Sequence, residues 1–225
     1  MKKDTKNFGF SHKSGILMPI SSLPSPYGIG SLGQCARDFV DFLVKTEQTC
    51  WQILPINPTA YGDSPYQSPC SQAGNPYFID LPLLKAEGLL TEEELQENRH
   101  GTPRVDYGWL WNTRFALLRK AFSRFTPNES YAAFCQKHSH WLEDYSLFMA
   151  LKERYGHSPW VTWAPEHKDA DAARQLADSF ASEMNFWKWV QFAFFTQWEA
   201  LHQYATKNGS CQGACGFGIT FSDTC

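Results

Sequence analysis

Three runs decide the fold: Ile16-Leu17-Met18-Pro19-Ile20, then Ala36-Arg37-Asp38-Phe39-Val40-Asp41-Phe42-Leu43, then Trp51-Gln52-Ile53-Leu54-Pro55-Ile56. The first is a short apolar run, weakened by Pro19 and closed by Ser21-Ser22, and it reads as a buried strand. In the second, Ala36, Phe39, Val40 and Leu43 recur at the steps of one helix face, which predicts an amphipathic helix over 34–48. The third reads as a second buried strand. Strand, helix and strand within about forty residues make a βαβ unit, so the two strands are expected to be parallel neighbours.

The loop between the first strand and the helix holds Gly28-Ile29-Gly30-Ser31-Leu32-Gly33, a match to the dinucleotide-binding pattern G-x-G-x-x-G. The context argues against that use. The first glycine should follow its strand almost directly, yet seven residues with two prolines (Pro24, Pro26) intervene. The second strand should end in an acidic residue for the ribose, and it ends in Pro55-Ile56-Asn57. The glycines are read as permitting a tight loop.

Beyond this unit the chain reads as mainly helical. Thr91 with Glu94 forms a capping box after the stop signal Gly88. Phe115, Leu118, Phe122 and Phe125 mark a helix over 112–125, and Gly156 closes another over 139–155. The longest spans 183–207, with Trp187, Val190, Phe194, Trp198 and Leu201 as its buried stripe and Gly209 as its cap. This is too much helix for one crossover, so part is expected to be an inserted subdomain. The expected organisation is 1–79 with two strands and the site loops, 80–182 as a helical insertion, 183–209 as one long helix, and 210–225 as a divergent tail.

Composition narrows the class. The 225 residues carry 20 Lys and Arg against 23 Asp and Glu, a net charge of −3. That balance leaves no basic footprint for nucleic acid and no polybasic run for a membrane. No run approaches the roughly 18 apolar residues of a membrane span. Seven Cys, most of them scattered singly, fit reduced thiols and a cytoplasmic setting better than a disulfide framework. Cys211 and Cys215 have no His at ligand spacing, so no metal is expected. The 17 Phe, 9 Tyr and 9 Trp supply core, and also stacking surfaces for ring-shaped ligands.

The chemistry is expected in Tyr61-Gly62-Asp63-Ser64-Pro65-Tyr66-Gln67-Ser68, after the second strand. Parallel sheets and α/β barrels hold ligands at the C-terminal ends of their strands. Asp63, Ser64 and Gln67 offer carboxylate, hydroxyl and amide groups suited to the hydroxyls of a sugar. Tyr61 and Tyr66 can set a ring against the C–H face of a pyranose, with Pro65 restraining the backbone between them. The alternative is an ordinary polar loop whose tyrosines pack on the core.

Several blocks together resemble the opening of the 4-α-glucanotransferases, the amylomaltase or disproportionating-enzyme family. They are Ser14-Gly15-Ile16-Leu17, Ser21-Ser22-Leu23-Pro24, Tyr27-Gly28-Ile29-Gly30, Trp51-Gln52-Ile53-Leu54-Pro55, the 61–68 loop and Gly74-Asn75-Pro76-Tyr77. Looser blocks follow at Val105-Asp106-Tyr107, at 141–152 and at 194–198, so that the resemblance covers about 14–209. It implies an α/β fold, the first part of a (β/α)₈ TIM barrel with a helical insertion, incomplete in this chain. It also implies cofactor-free transfer between α-1,4-glucans and maltooligosaccharides, by a retaining double displacement with two carboxyl groups. By position, Tyr66 would stack on the glucose beside the scissile bond, Ser64 and Gln67 would line the cleft, Asp63 would hold the loop, and Tyr61 would belong to an outer glucan contact.

The family's catalytic carboxylates lie on later strands, and none of those motifs is present in these 225 residues. Asp106, Glu143, Asp144 and Glu183 are read as caps or solvated faces. After Gly209 the family continues with another strand, whereas this chain reads Ser210-Cys211-Gln212 and diverges. A frameshift or truncation near Gly209 is the expectation, with a poorly stable and inactive product. The second reading is a glucan-binding module that catalyses nothing.

Overall fold

A computed structural model of the chain describes residues 14–60 and 62–208. β1 (Gly15–Leu17) leads through a 3₁₀ turn at Ile20–Ser22 and the glycine loop into α1 (Gln34–Lys45), which returns the chain to β2 (Cys50–Gln52). The strands are parallel neighbours with Ile16 opposite Trp51, as the βαβ reading requires. A long loop and a 3₁₀ turn at Pro76–Phe78 lead to α2 (Leu81–Ala86), α3 (Glu92–Glu97), α4 (Tyr107–Arg124) and α5 (Glu129–Arg154). Then come α6 (Pro165–Lys168), α7 (Ala170–Gln175) and α8 (Ala181–Asn208).

Both strands are shorter than their apolar runs. The pairing extends by single bonds from Thr49 N to Ser14 O and from Met18 N to Gln52 O, both 2.9 Å. It stops at Pro19, which has no N–H to donate, and the next residues wind into the 3₁₀ turn. Ile53 and Ile56 are buried as expected but lie outside the strand. The described chain is therefore mostly helical, with one two-stranded parallel sheet. Helix α2 was not expected, because its six residues are too few to show a period.

The glycine loop is filled by the protein itself. A Cβ on Gly30 would fall 1.9 Å from Ile20 O, and one on Gly33 would fall 2.0 Å from an Asp80 carboxylate oxygen. These glycines let the loop pack against its own chain, which is the tight-loop reading.

α8 organises the rest, packing against α5, α1 and α4. Its expected stripe is buried throughout: Trp187, Val190, Phe194, Trp198 and Leu201. The expected α4 residues Phe115, Leu118, Phe122 and Phe125 all pack on the core, with Leu118 fully buried. Leu110, Leu117 and Ala121 are buried as well. Two buried glutamines of α8 each clasp one residue of the 74–80 segment. Gln191 accepts from Gly74 N at 2.7 Å and donates to Gly74 O at 3.0 Å; Gln197 does the same to Asp80 at 2.7 and 3.2 Å. Asp80 then caps α2 through Leu83 N and accepts from Ser31 Oγ at 2.7 Å. Arg114, also buried, donates to Ile79 O and Tyr27 O, and burial draws its guanidinium down to about 10 against the pull of Asp80.

Gln191→Leu would strand the Gly74 N–H and C=O away from water, and should cost about 2–4 kcal/mol in urea unfolding. A change below about 0.5 kcal/mol would show that the clasp is not structural. The capping box gives a pH prediction. Glu94 is held down to about 2 by a two-pronged Arg124 pair at 2.6 and 2.9 Å and by Thr91 N. A carboxyl depressed in the folded state stabilises above its unfolded value and loses that contribution as pH falls. Stability should therefore decline from about pH 4.5 toward pH 2, and Glu94→Gln should flatten that limb in denaturation measured at each pH.

Candidate functional site

The loop after β2 is closed at its base and tied within. Asn75 N donates to Ile56 O at 2.8 Å, and the Asn57 amide donates to Ser71 O and Ala73 O at 2.7 and 3.0 Å. Inside, Ala60 N reaches Gln67 O at 3.0 Å, Asp63 N reaches Ala60 O at 3.1 Å, and Gln67 N reaches Ser64 O at 3.1 Å. Gly62 and Asp63 take consecutive left-handed conformations, with φ of 87° and 55°. Glycine adopts this freely, and Asp is among the few side chains that tolerate it.

That reversal turns Asp63 into a cavity of about 650 Å³, walled by the loop, α4, α5 and α8. Ser64, Tyr66 and Gln67 do not line it. Ser64 Oγ accepts from Tyr66 N at 3.3 Å, and the Tyr66 side chain stands 73% exposed beside an exposed Gln67. Tyr61 lies outside the described residues.

One wall of the cavity is a run of rings. Tyr107 meets Tyr77 at 6.1 Å, Tyr77 meets Phe115 at 5.8 Å, Phe115 meets Trp187 at 5.6 Å, and Trp187 meets Tyr145 at 6.4 Å. Trp111, 46% exposed, stands edge-on to His157 at 4.5 Å and to Phe115 of that wall at 5.7 Å. The polar groups are few and shaped by burial. Burial raises the carboxyls of Asp63 and Glu153, with Arg119 opposing the rise at Glu153, and it lowers His157. Tyr77 is pushed up to about 12, first by burial and then by Asp63. Trp187 Nε1 is buried with no partner within hydrogen-bond distance, although Glu153 is near enough for its carboxyl to feel that N–H. An apolar cavity with a few convergent polar groups is the usual form of a small-molecule site.

Reading the sequence missed most of this wall. Tyr107 lies in a block of the family resemblance that carries no role, and Phe115 and Trp187 read as members of helix stripes. Trp111, Glu153 and His157 carry no local signal, because they converge only when α4 packs beside α5. Three of the four acidic residues read as caps or solvated faces behave as expected. Asp106 caps α4 through Trp109 N, Asp144 pairs with Arg174, and Glu143 pairs with Lys188. Among the described residues no group of three or more His, Cys, Asp or Glu is placed to hold a metal, and Cys211 and Cys215 lie outside them. No helix among them is long and apolar enough to cross a membrane.

The family model for 4-alpha-glucanotransferase matches residues 18–211. The chain belongs to the 4-α-glucanotransferase family. The 4-alpha-glucanotransferase of Clostridium butyricum is 43% identical over 196 residues, which make up 84% of this chain and 40% of that protein. The enzyme of Thermus thermophilus is 43% identical over 203 residues, 87% of this chain and 40% of its own. The fold matches the amylomaltase from Streptococcus agalactiae in complex with acarbose, with a TM-score of 0.82 and 36% identity. That match covers 88% of this chain and 42% of that one. The chain thus spans about 40% of the length of the 4-α-glucanotransferases it matches.

Because the Asp63 carboxyl is raised by burial, its charge opposes folding at neutral pH, and protonation would favour the folded state. Asp63→Asn removes that charge and keeps a side chain tolerant of φ 55°. Thermal unfolding at pH 7 should give an unchanged or higher Tm. A fall of several degrees would mean that the carboxylate is a structural tie.

Proposed function

We propose that this chain is the donor-contacting portion of a 4-α-glucanotransferase, which moves α-1,4-glucan segments between maltooligosaccharides without a cofactor. The observation that supports this best is the closed loop after β2, which presents Tyr66 and Gln67 outward and Asp63 toward the ring-walled cavity. Tyr66 offers its ring to the C–H face of a glucose next to the bond being cut, while Ser64 and Gln67 bind its hydroxyls. Asp63 faces the cavity from that loop, and Tyr61 belongs to an outer glucan contact.

In the complete enzyme a carboxylate attacks the anomeric carbon as the bond to O4 breaks, and a second carboxyl gives its proton to that oxygen. The 4-hydroxyl of the acceptor then attacks the glycosyl-enzyme and surrenders its proton to the same carboxyl, which restores the original anomer. Both carboxyl groups belong to the family length that this chain does not span. The 225-residue polypeptide binds glucan and does not transfer it, within a cytoplasmic pathway of maltodextrin use.

Incubated with maltotriose, the 225-residue chain should yield neither glucose nor longer maltodextrins, with the Clostridium butyricum enzyme as the positive control. Product formation would place catalytic carboxylates within these residues. Tyr66→Ala should weaken maltoheptaose binding roughly tenfold, about 1.4 kcal/mol, in calorimetric titration. Unchanged affinity would remove Tyr66 from the donor site.

A further inference from the structure

A second cavity, of about 300 Å³, lies on the other side of α5. Tyr145, Met149, Lys152 and Glu153 face the first cavity, whereas Asp144, Leu147, Phe148 and Leu151 face this one. The two share no lining residue, so a single helix, about 10 Å across, separates them. We infer that this second cavity is a carbohydrate site, which holds a glucose unit of an α-1,4-glucan against Trp160 and Trp163.

The floor is apolar and rigid. Trp163 is 4% exposed, stacks on Tyr155 at 5.2 Å with the planes 8° apart, and meets Phe148 at 5.6 Å. Its indole N–H is already used on Ser158 O, so it gives the floor apolar surface and no donor. Trp160 lines the same cavity yet is 54% exposed, an unusual state for the most expensive ring to leave in water. It sits in a one-turn 3₁₀ segment between Pro159 and the Trp163 anchor, which restrains its backbone.

The rim carries donors and acceptors instead of more apolar surface. Arg174 grips both oxygens of Asp144 at 2.8 and 2.7 Å, which fixes a guanidinium and a carboxylate side by side. Lys168 stands at the edge without an ion pair among the described residues. His167 Nδ1 is tied to Tyr155 OH at 2.8 Å, leaving its other ring nitrogen for a ligand. Ring faces below and hydrogen-bonding groups of both kinds around the edge match a pyranose, which has C–H faces and equatorial hydroxyls. An apolar helix would leave Lys168 and the second ring nitrogen of His167 without a partner on the ligand. The choice of glucan over another sugar rests on the function proposed above.

N-bromosuccinimide oxidation, read peptide by peptide in mass spectra of the full chain, tests this directly. Saturating maltoheptaose should slow oxidation at Trp160 at least about threefold, and sorbitol should not. Trp160→Ala, a change at an exposed side chain, should remove one of two maltoheptaose sites in calorimetric titration while the Tyr66 site persists. Oxidation of Trp160 at the same rate with and without maltoheptaose overturns the inference. So does protection that follows protein concentration instead of sugar, which would mark a contact between two copies. Loss of binding on Tyr66→Ala alone bears only on the donor site. Protection at Trp160 that survives Tyr66→Ala supports this cavity even where the donor reading fails.

Discussion

The architecture hangs on two side-chain amides that imitate strand pairing. Gln191 and Gln197 each give a donor and an acceptor to one residue of the 74–80 segment, 117 positions earlier in the chain. Buried peptide groups must be paired, and this segment runs through the core without a strand beside it. The clasps solve that problem and at the same time set the segment's height along α8. Gly74 has no side chain for the same reason, since a Cβ there would fall 2.0 Å from the Phe194 ring.

From that anchorage the site follows. Tyr77 lies between the clasped residues and is directed into the cavity wall, while Asp80 joins the glycine loop through Ser31 to the start of α2. The loop that carries Asp63 closes on the same segment through Asn75 and Ile56. One helix thereby positions both the base of the loop and the rings that face it. The raised carboxyls of Asp63 and Glu153 are the consequence of lining a largely aromatic space.

Long periodic helices were readable because their signal is local. The α8 stripe, the Thr91–Glu94 capping box and the parallel pairing of the two strands all rest on spacings of a few residues or on handedness. The burial of Arg114 on α4 was not readable, because a charged residue does not advertise burial. The strands came out short because apolar runs report burial and not hydrogen bonding, and Pro19 ended the pairing. Short helices such as α2, α6 and α7 hold four to six residues, fewer than a period needs to repeat.

The sequence by itself determined the βαβ opening, the family and the loop in which hydroxyl, amide and carboxyl groups cluster, because order and spacing along one stretch carry all three. Tertiary structure alone decided which of those groups share a space: Asp63 joins rings from α4, α5 and α8, while Tyr66 faces outward. It also decided that α5 borders two cavities, with exposed indoles at Trp111 and Trp160 lining separate ones. Convergence of side chains from helices far apart in the chain depends on packing angles and depth. Residue order records neither.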